Sequence, residues 1–200
     1  MKRLLLIFII TFSFQSLIKA DDIRDFEIEG ISIGESLLDH FSINQIEKYI
    51  VPNYYSNLPT EFQQIYGFAE FQRLPNFEVY DNISVDFLMN DEKFIIQTLS
   101  GSLFIDKTED CHTKQKEIDN SLKIIFKDTF RQENSTSHSA DNTGNSKTKS
   151  INYWFDSDDL ITLICTDWSD EITKTLGWTD NLSLEIKFKE YNNFLIEAYK

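Results

Sequence analysis

The sequence predicts an α+β fold, with helices packed on one face of a predominantly antiparallel sheet of about four to six strands. Three observations predict it. Leu182, Leu184, Ile186 and Phe188 alternate with Ser183, Glu185, Lys187 and Lys189, which is a strand with one buried and one wet face. Val85, Phe87 and Met89 alternate with Ser84, Asp86 and Leu88, and the turn cluster Asn90-Asp91-Glu92 returns the chain through Phe94 to Ile105 as a hairpin. Cys111, Gln115, Ile118, Leu122, Ile125 and Phe126 recur at steps of three and four, the stripe of an amphipathic helix.

Taken in order, residues 21–30 read as a short polar lead-in. A broken helix pair follows over 34–41 and 43–50. Leu37, Leu38 and Phe41 share one face of the first, Ser42 and Gln45 form a capping box for the second, and Pro52 closes it. Residues 52–80 are aromatic and irregular, and their pattern fits either a packed loop or short strands. In the hairpin, Gly101 is the expected bulge. Thr108 caps the helix 109–127, with Glu109 and Asp110 where the macrodipole favours negative charge. Residues 131–150 hold a single apolar residue, Ala140, and are expected to form a mobile loop or a long hairpin tip. Strands follow at 151–155, 160–166 and 182–188, with Asp156-Ser157-Asp158-Asp159 as a turn and Tyr191 to Tyr199 as a short terminal helix.

Residues 1–20 carry an address. Lys2 and Arg3 precede the apolar run Leu4–Phe14, and Ala20 stands before Asp21-Asp22, as in a cleavable secretory signal peptide. The run is short for a membrane span, which needs about 20 apolar residues. Residues 21–200 then form a single domain, soluble in the periplasm or outside the cell and without a membrane anchor. Three of the 19 basic residues fall in the leader and none of the 33 acidic ones does. The remainder carries 16 basic groups against 33 acidic, a net charge of −17. Nucleic acid and anionic lipid are disfavoured as partners on that charge. The 17 Phe and 8 Tyr supply the core that a chain so rich in polar residues otherwise lacks.

Chemistry-bearing patterns are sparse. Cys111 and Cys165 form an even pair in an exported chain, which invites a disulfide, and the face assignments would let the helix at 111 reach the strand at 165. His40, His112 and His138 form no ligand or catalytic spacing. His112 beside Cys111 points about 100° away from it on a helix. Asp156–Asp159 lacks the Gly and Glu of a calcium loop, with Ile161 and Asp167 at those positions, and reads as a hairpin turn. No nucleophile elbow or phosphate-cradling loop is present, so no catalytic residue, cofactor or metal is expected. The functional handle is aromatic. Trp168 and Trp178 flank the polar segment Ser169–Lys174 and are candidates for a binding surface, while Trp154 is expected in the core.

The run Asp21–Leu38, the stretch Ile96–Phe126 with Cys111, and the segment Tyr153-Trp154-Phe155…Cys165-Thr166-Asp167-Trp168 resemble a group of small exported proteins of AT-rich marine alphaproteobacteria. The resemblance implies export and carries no activity. In element order alone the chain is similar to helix-plus-sheet envelope assembly factors and secreted inhibitors, a likeness of fold from which function does not follow. The sequence therefore points to a non-enzymatic exported protein acting by binding to a protein or small ligand. The alternatives are an envelope-assembly or inhibitor-like protein and a hydrolase without a recognisable motif.

Overall fold

The computed structural model describes residues 22–75 and 77–200, so the leader over 1–20 lies outside the described residues. The architecture is α+β, with a seven-stranded, fully antiparallel sheet where four to six strands were expected. A two-stranded ribbon, β1 (Glu27–Ile28) and β2 (Ile31–Ser32), precedes helix α1 (Ile43–Tyr49). Next come β3 (Tyr66–Gln72), β4 (Asn82–Leu88) and β5 (Ile96–Phe104), a meander leading into α2 (Thr108–Ile125). A second meander holds β6 (Phe130–Ser137), β7 (Lys147–Trp154) and β8 (Leu160–Asp167). Helix α3 (Asp170–Leu176), strand β9 (Asn181–Lys187) and helix α4 (Lys189–Ala198) complete the chain. The spatial order is β3-β4-β5-β9-β8-β7-β6, so the last strand joins the two meanders.

Period-two alternation divides the sheet into an apolar and a polar face. On the apolar face Leu182, Leu184 and Ile186 of β9 are buried with Ile161, Leu163 and Cys165 of β8, and with Val85 and Leu99. Helix α2 lies across this face. Cys111 Sγ and Cys165 Sγ are bonded, 2.02 Å apart. One turn on, Gln115 Nε2 donates to the carbonyls of Lys149 (2.7 Å) and Leu163 (3.1 Å). Two turns on, Asp119 accepts from both Arg131 Nε (2.8 Å) and Nη2 (2.9 Å), and from the Tyr153 hydroxyl at 2.5 Å. Ile125 of the expected stripe is exposed, and Asp119 takes the inward position instead.

Several expectations need correction. Of the two readings of the polar tract 131–150, the mobile loop fails and the hairpin holds with a shorter tip: Arg131 pairs with Tyr153 and Ser137 with Lys147, so β6 and β7 pair regularly and only 138–146 forms the tip. The lead-in 21–30 is not merely polar. Ile23 and Ile28 are buried, and with Ile31, Ile33 and Leu37 they complete the apolar layer beside α2. The first of the two expected helices shrinks to a 3-10 turn at Leu37–Asp39, while Gln45 Oε1 accepts from Ser42 N at 3.0 Å at the start of α1. The ladder irregularity lies at Asp86/Phe87, and Gly101 pairs regularly. Gly101 is bare for packing, since a Cβ there would lie 2.8 Å from Ile28 Cγ2 and from the Tyr80 ring. Among the described residues, the open question of 52–80 resolves into turns up to Ile65 and strand β3.

The helices do not all share one face. Helix α4 and the turns around 53–65 cover one end of the polar face, where Tyr55, Leu58, Tyr66, Tyr191, Phe194 and Ala198 form a second, smaller core. This cap lies at one end of the polar face and α3 at the other.

Candidate functional site

The polar face is written in the strand register. Across the centre of the sheet Ser102 stands opposite Ser183, which is followed by Ile164 and Ser150. One pleat further, Ser100 is followed by Glu185, Thr162 and Asn152. On the other side of the central row, Asn181, Thr166 and Thr148 stand in line. Between the α4 cap and the α3 end this floor is uncovered and forms a groove of about 390 Å³. That is at the small end of the roughly 300–1,000 Å³ typical of small-molecule sites, and it departs from the usual apolar lining.

Part of the floor is internally bonded. Ser102 Oγ and Ser183 Oγ are 2.7 Å apart, and Ser183 donates to Asn181 Oδ1 at 2.9 Å. Lys187 Nζ and Glu185 Oε2 form an ion pair at 2.5 Å. Thr162, 4 % exposed between Asn152 and Glu185, has no partner for its hydroxyl. Among the described residues the buried side-chain polar atoms lacking a partner are Thr162 Oγ1 and Asn82 Oδ1, and both belong to this face. Buried polar groups are nearly always satisfied, so two orphans on one face mark it.

An aromatic wall closes the α3 end. The His138 ring lies 4.2 Å from that of Trp168, which lies 4.6 Å from Trp178. Local rules hold the wall upright. Ser169 caps α3, and Gly177, at φ 71°, ends it in the left-handed conformation that turns the chain so that Trp178 returns onto Trp168. Trp168 N donates to Asp180 Oδ1 at 2.7 Å. Asp141, at the β6–β7 tip, accepts from Ser146 Oγ (2.6 Å) and from Ser169 Oγ (3.0 Å), tying the hairpin carrying His138 to the helix after Trp168. The Ser146 and Thr143 hydrogen bonds hold the Asp141 carboxyl well below the usual range. Burial lowers the His138 imidazole, against the pull of Glu185 and Asp141, which favours its neutral form.

At the other end, Asp86 is buried under the α4 cap. Its carboxylate accepts from the hydroxyls of Tyr55 and Thr98, and Tyr55 meets Tyr191 hydroxyl to hydroxyl at 2.7 Å. Burial pushes Asp86 up to about 6, with the hydrogen bonds from Thr98 and Tyr55 opposing it.

Of the residues singled out from sequence, Trp168 and Trp178 come together, and Trp168 and His138 line the groove. Trp154 is not in the core as expected: it is half-buried on the polar face, opposite Leu160. His40 pairs with Glu35 at 2.8 Å, and His112 flanks a bonded cysteine. The Asp156–Asp159 cluster is a turn, closed by Phe155 N donating to Asp159 O at 3.0 Å. Sequence reasoning missed the groove floor, whose residues read only as the wet sides of strands, and the Asp141 anchor. The signal for the anchor was present in Asp141-Asn142-Thr143-Gly144, a turn sequence with Asp first and Gly fourth.

Among the described residues no helix is long and apolar enough to cross a membrane, and no group of three or more His, Cys, Asp or Glu side chains is placed to hold a metal ion. No protein-family model, curated protein or solved structure matches the chain.

Proposed function

We propose that the protein is exported and acts by binding, taking a small polar ligand into the groove between the α4 cap and the aromatic wall. The observation that carries this reading is the Thr162 hydroxyl, buried and unpartnered at the centre of an uncovered polar floor. Turnover is less well supported. Glu185 and Lys187 engage each other, and Asp86 is shut behind two hydroxyls, so neither carboxylate presents itself to a substrate. The Cys111–Cys165 bond supports an oxidising compartment, in keeping with the basic and apolar leader sequence.

Two measurements test the proposal. Mass spectrometry of the protein from the exported fraction should find an amino terminus at Asp21 and no free thiol; a retained leader with both thiols reduced would refute export. Thermal unfolding against a library of small polar metabolites should show stabilisation that disappears in Ser150→Arg, which fills the groove from its half-buried floor. A library that never shifts the transition refutes binding there. A second reading, recognition of another protein, draws on Trp178, which is 39 % exposed beside Trp168. It predicts periplasmic cross-links through position 178.

A further inference from the structure

We infer that the groove is built for a neutral, polyhydroxylated ligand of saccharide type, with the wall formed by Trp168 and His138 as the surface against which the sugar ring packs. The inference rests on the binding reading above and specifies its ligand class.

Charge selects against ionic ligands. The groove is lined by three titratable side chains, and two of them, Glu185 and Lys187, cancel in an ion pair. The third, His138, is held toward its neutral form by burial. An anionic or cationic guest finds the groove's charges already engaged in the Glu185–Lys187 contact, so its own charge gains little there. This local neutrality stands against a chain that is otherwise strongly acidic.

The floor chemistry selects for hydroxyls. Ser, Thr and Asn side chains both donate and accept, as sugar hydroxyls do. Thr162 lies buried in the centre with its hydroxyl unused, between the Asn152 amide and Glu185. A ligand hydroxyl at that point would satisfy an atom that the protein itself leaves unsatisfied.

The wall selects for a ring with an apolar face. An indole face is electron-rich, and the C–H face of a pyranose is its electropositive complement. Trp168 lines the groove with the ring of His138 at 4.2 Å and that of Trp178 at 4.6 Å, centroid to centroid, so the wall is held in place and little ordering cost remains on binding. The volume of about 390 Å³ limits the guest to one or two rings.

The test is titration of the purified protein with glucose, galactose, N-acetylglucosamine, maltose and cellobiose, followed by calorimetry and tryptophan fluorescence. A parallel panel holds amino acids and glucose 6-phosphate. Saturable binding of a neutral sugar with a change in tryptophan emission is expected, weakened at least about tenfold in Trp168→Ala and in Ser150→Arg. Far-UV circular dichroism confirms that each variant is folded. Ser150→Arg leaves the wall intact and keeps the test decisive if Trp168→Ala does not fold. Groove-dependent binding of a charged panel member, with none of a neutral sugar, overturns the saccharide assignment and leaves the binding reading standing. Sugar binding unchanged in Ser150→Arg overturns the groove as its site. No binding in either panel overturns the saccharide assignment, and the metabolite library above then decides the broader reading.

Discussion

Tyr55 and Tyr191 touch through their hydroxyls, 2.7 Å apart, above the carboxylate of Asp86. One comes from the turns before β3 and the other from α4, so a single acid on β4 pins both halves of the cap onto the sheet. Tyr55 and Tyr191 are both raised above the ordinary phenol range, by burial first and then by Asp86.

That arrangement gives a pH dependence of definite sign. The Asp86 carboxyl is pushed up to about 6 by burial, above its unfolded value of about 4. The native state then holds the proton more tightly than the unfolded one. Asp86 contributes most below about pH 4, and its contribution is lost as pH rises through about 6. Relative to Asp86→Asn, which cannot ionise, the native protein should lose about 2 kcal/mol between pH 4 and pH 7. Urea unfolding of both proteins at the two pH values measures this. Parallel pH profiles would show that Asp86 does not titrate in that window.

Asp119 behaves in the opposite sense. Burial alone would raise its carboxyl, but hydrogen bonds from Arg131, Lys123 and Tyr153 outweigh it and hold the group at about 2. Its contribution is present above about pH 4 and is lost as pH falls toward 2. Arg131→Ala leaves a carboxylate 3 % exposed with weaker partners and should cost on the order of 3 kcal/mol at pH 7. An unfolding midpoint unchanged from the native protein would contradict this.

The Cys111–Cys165 bond closes a sequence separation of 54 residues between α2 and β8. In the chain-entropy account such a link stabilises by about 4 kcal/mol. Cys111→Ala/Cys165→Ala should therefore melt well below the oxidised protein, and the native protein with dithiothreitol should approach the same transition. Equal melting of all three would place the stability elsewhere.

Asp141 should matter to the aromatic wall more than to the core. Replacing it with Ala removes the acceptor shared by Ser146 and Ser169, so the hairpin tip and the start of α3 part. Tryptophan emission should move to longer wavelength as Trp168 gains water, while far-UV circular dichroism stays unchanged. An identical emission spectrum in Asp141→Ala would argue that the wall stands without its anchor.

How much of this was legible follows from what each element must bury. Strand β9 lies at the centre of the sheet, with a core on one side and the groove on the other, and its alternation was complete. Helix α2 was legible for the same reason, and with it the cysteine pairing. Strand β6 is an edge strand with no fully buried residue, so it carries no hydrophobic period and read only as a mobile loop or a hairpin tip. The segment before β1 contributes isolated isoleucines through two-residue strands and 3-10 turns, too short for any period to register. Within the site, Trp168 stood out as an aromatic. Its floor did not, because hydroxyl and amide side chains on the outer side of a strand look the same whether the face is open water or a walled groove.

The placement of Asn181–Lys187 between Thr98–Phe104 and Leu160–Thr166 has a consequence for how the chain matures. As a nascent polypeptide leaves the ribosome, the inner flank of the first meander is bare from Phe104 onward and that of the second from Asp167 onward, until the segment that zips them together, Asn181–Lys187, is made. Such half-products cannot close up early. They are also open to pairing with one another. A stop codon just ahead of Asn181 would therefore yield two sticky fragments in one chain, and such a product should be recovered in inclusion bodies.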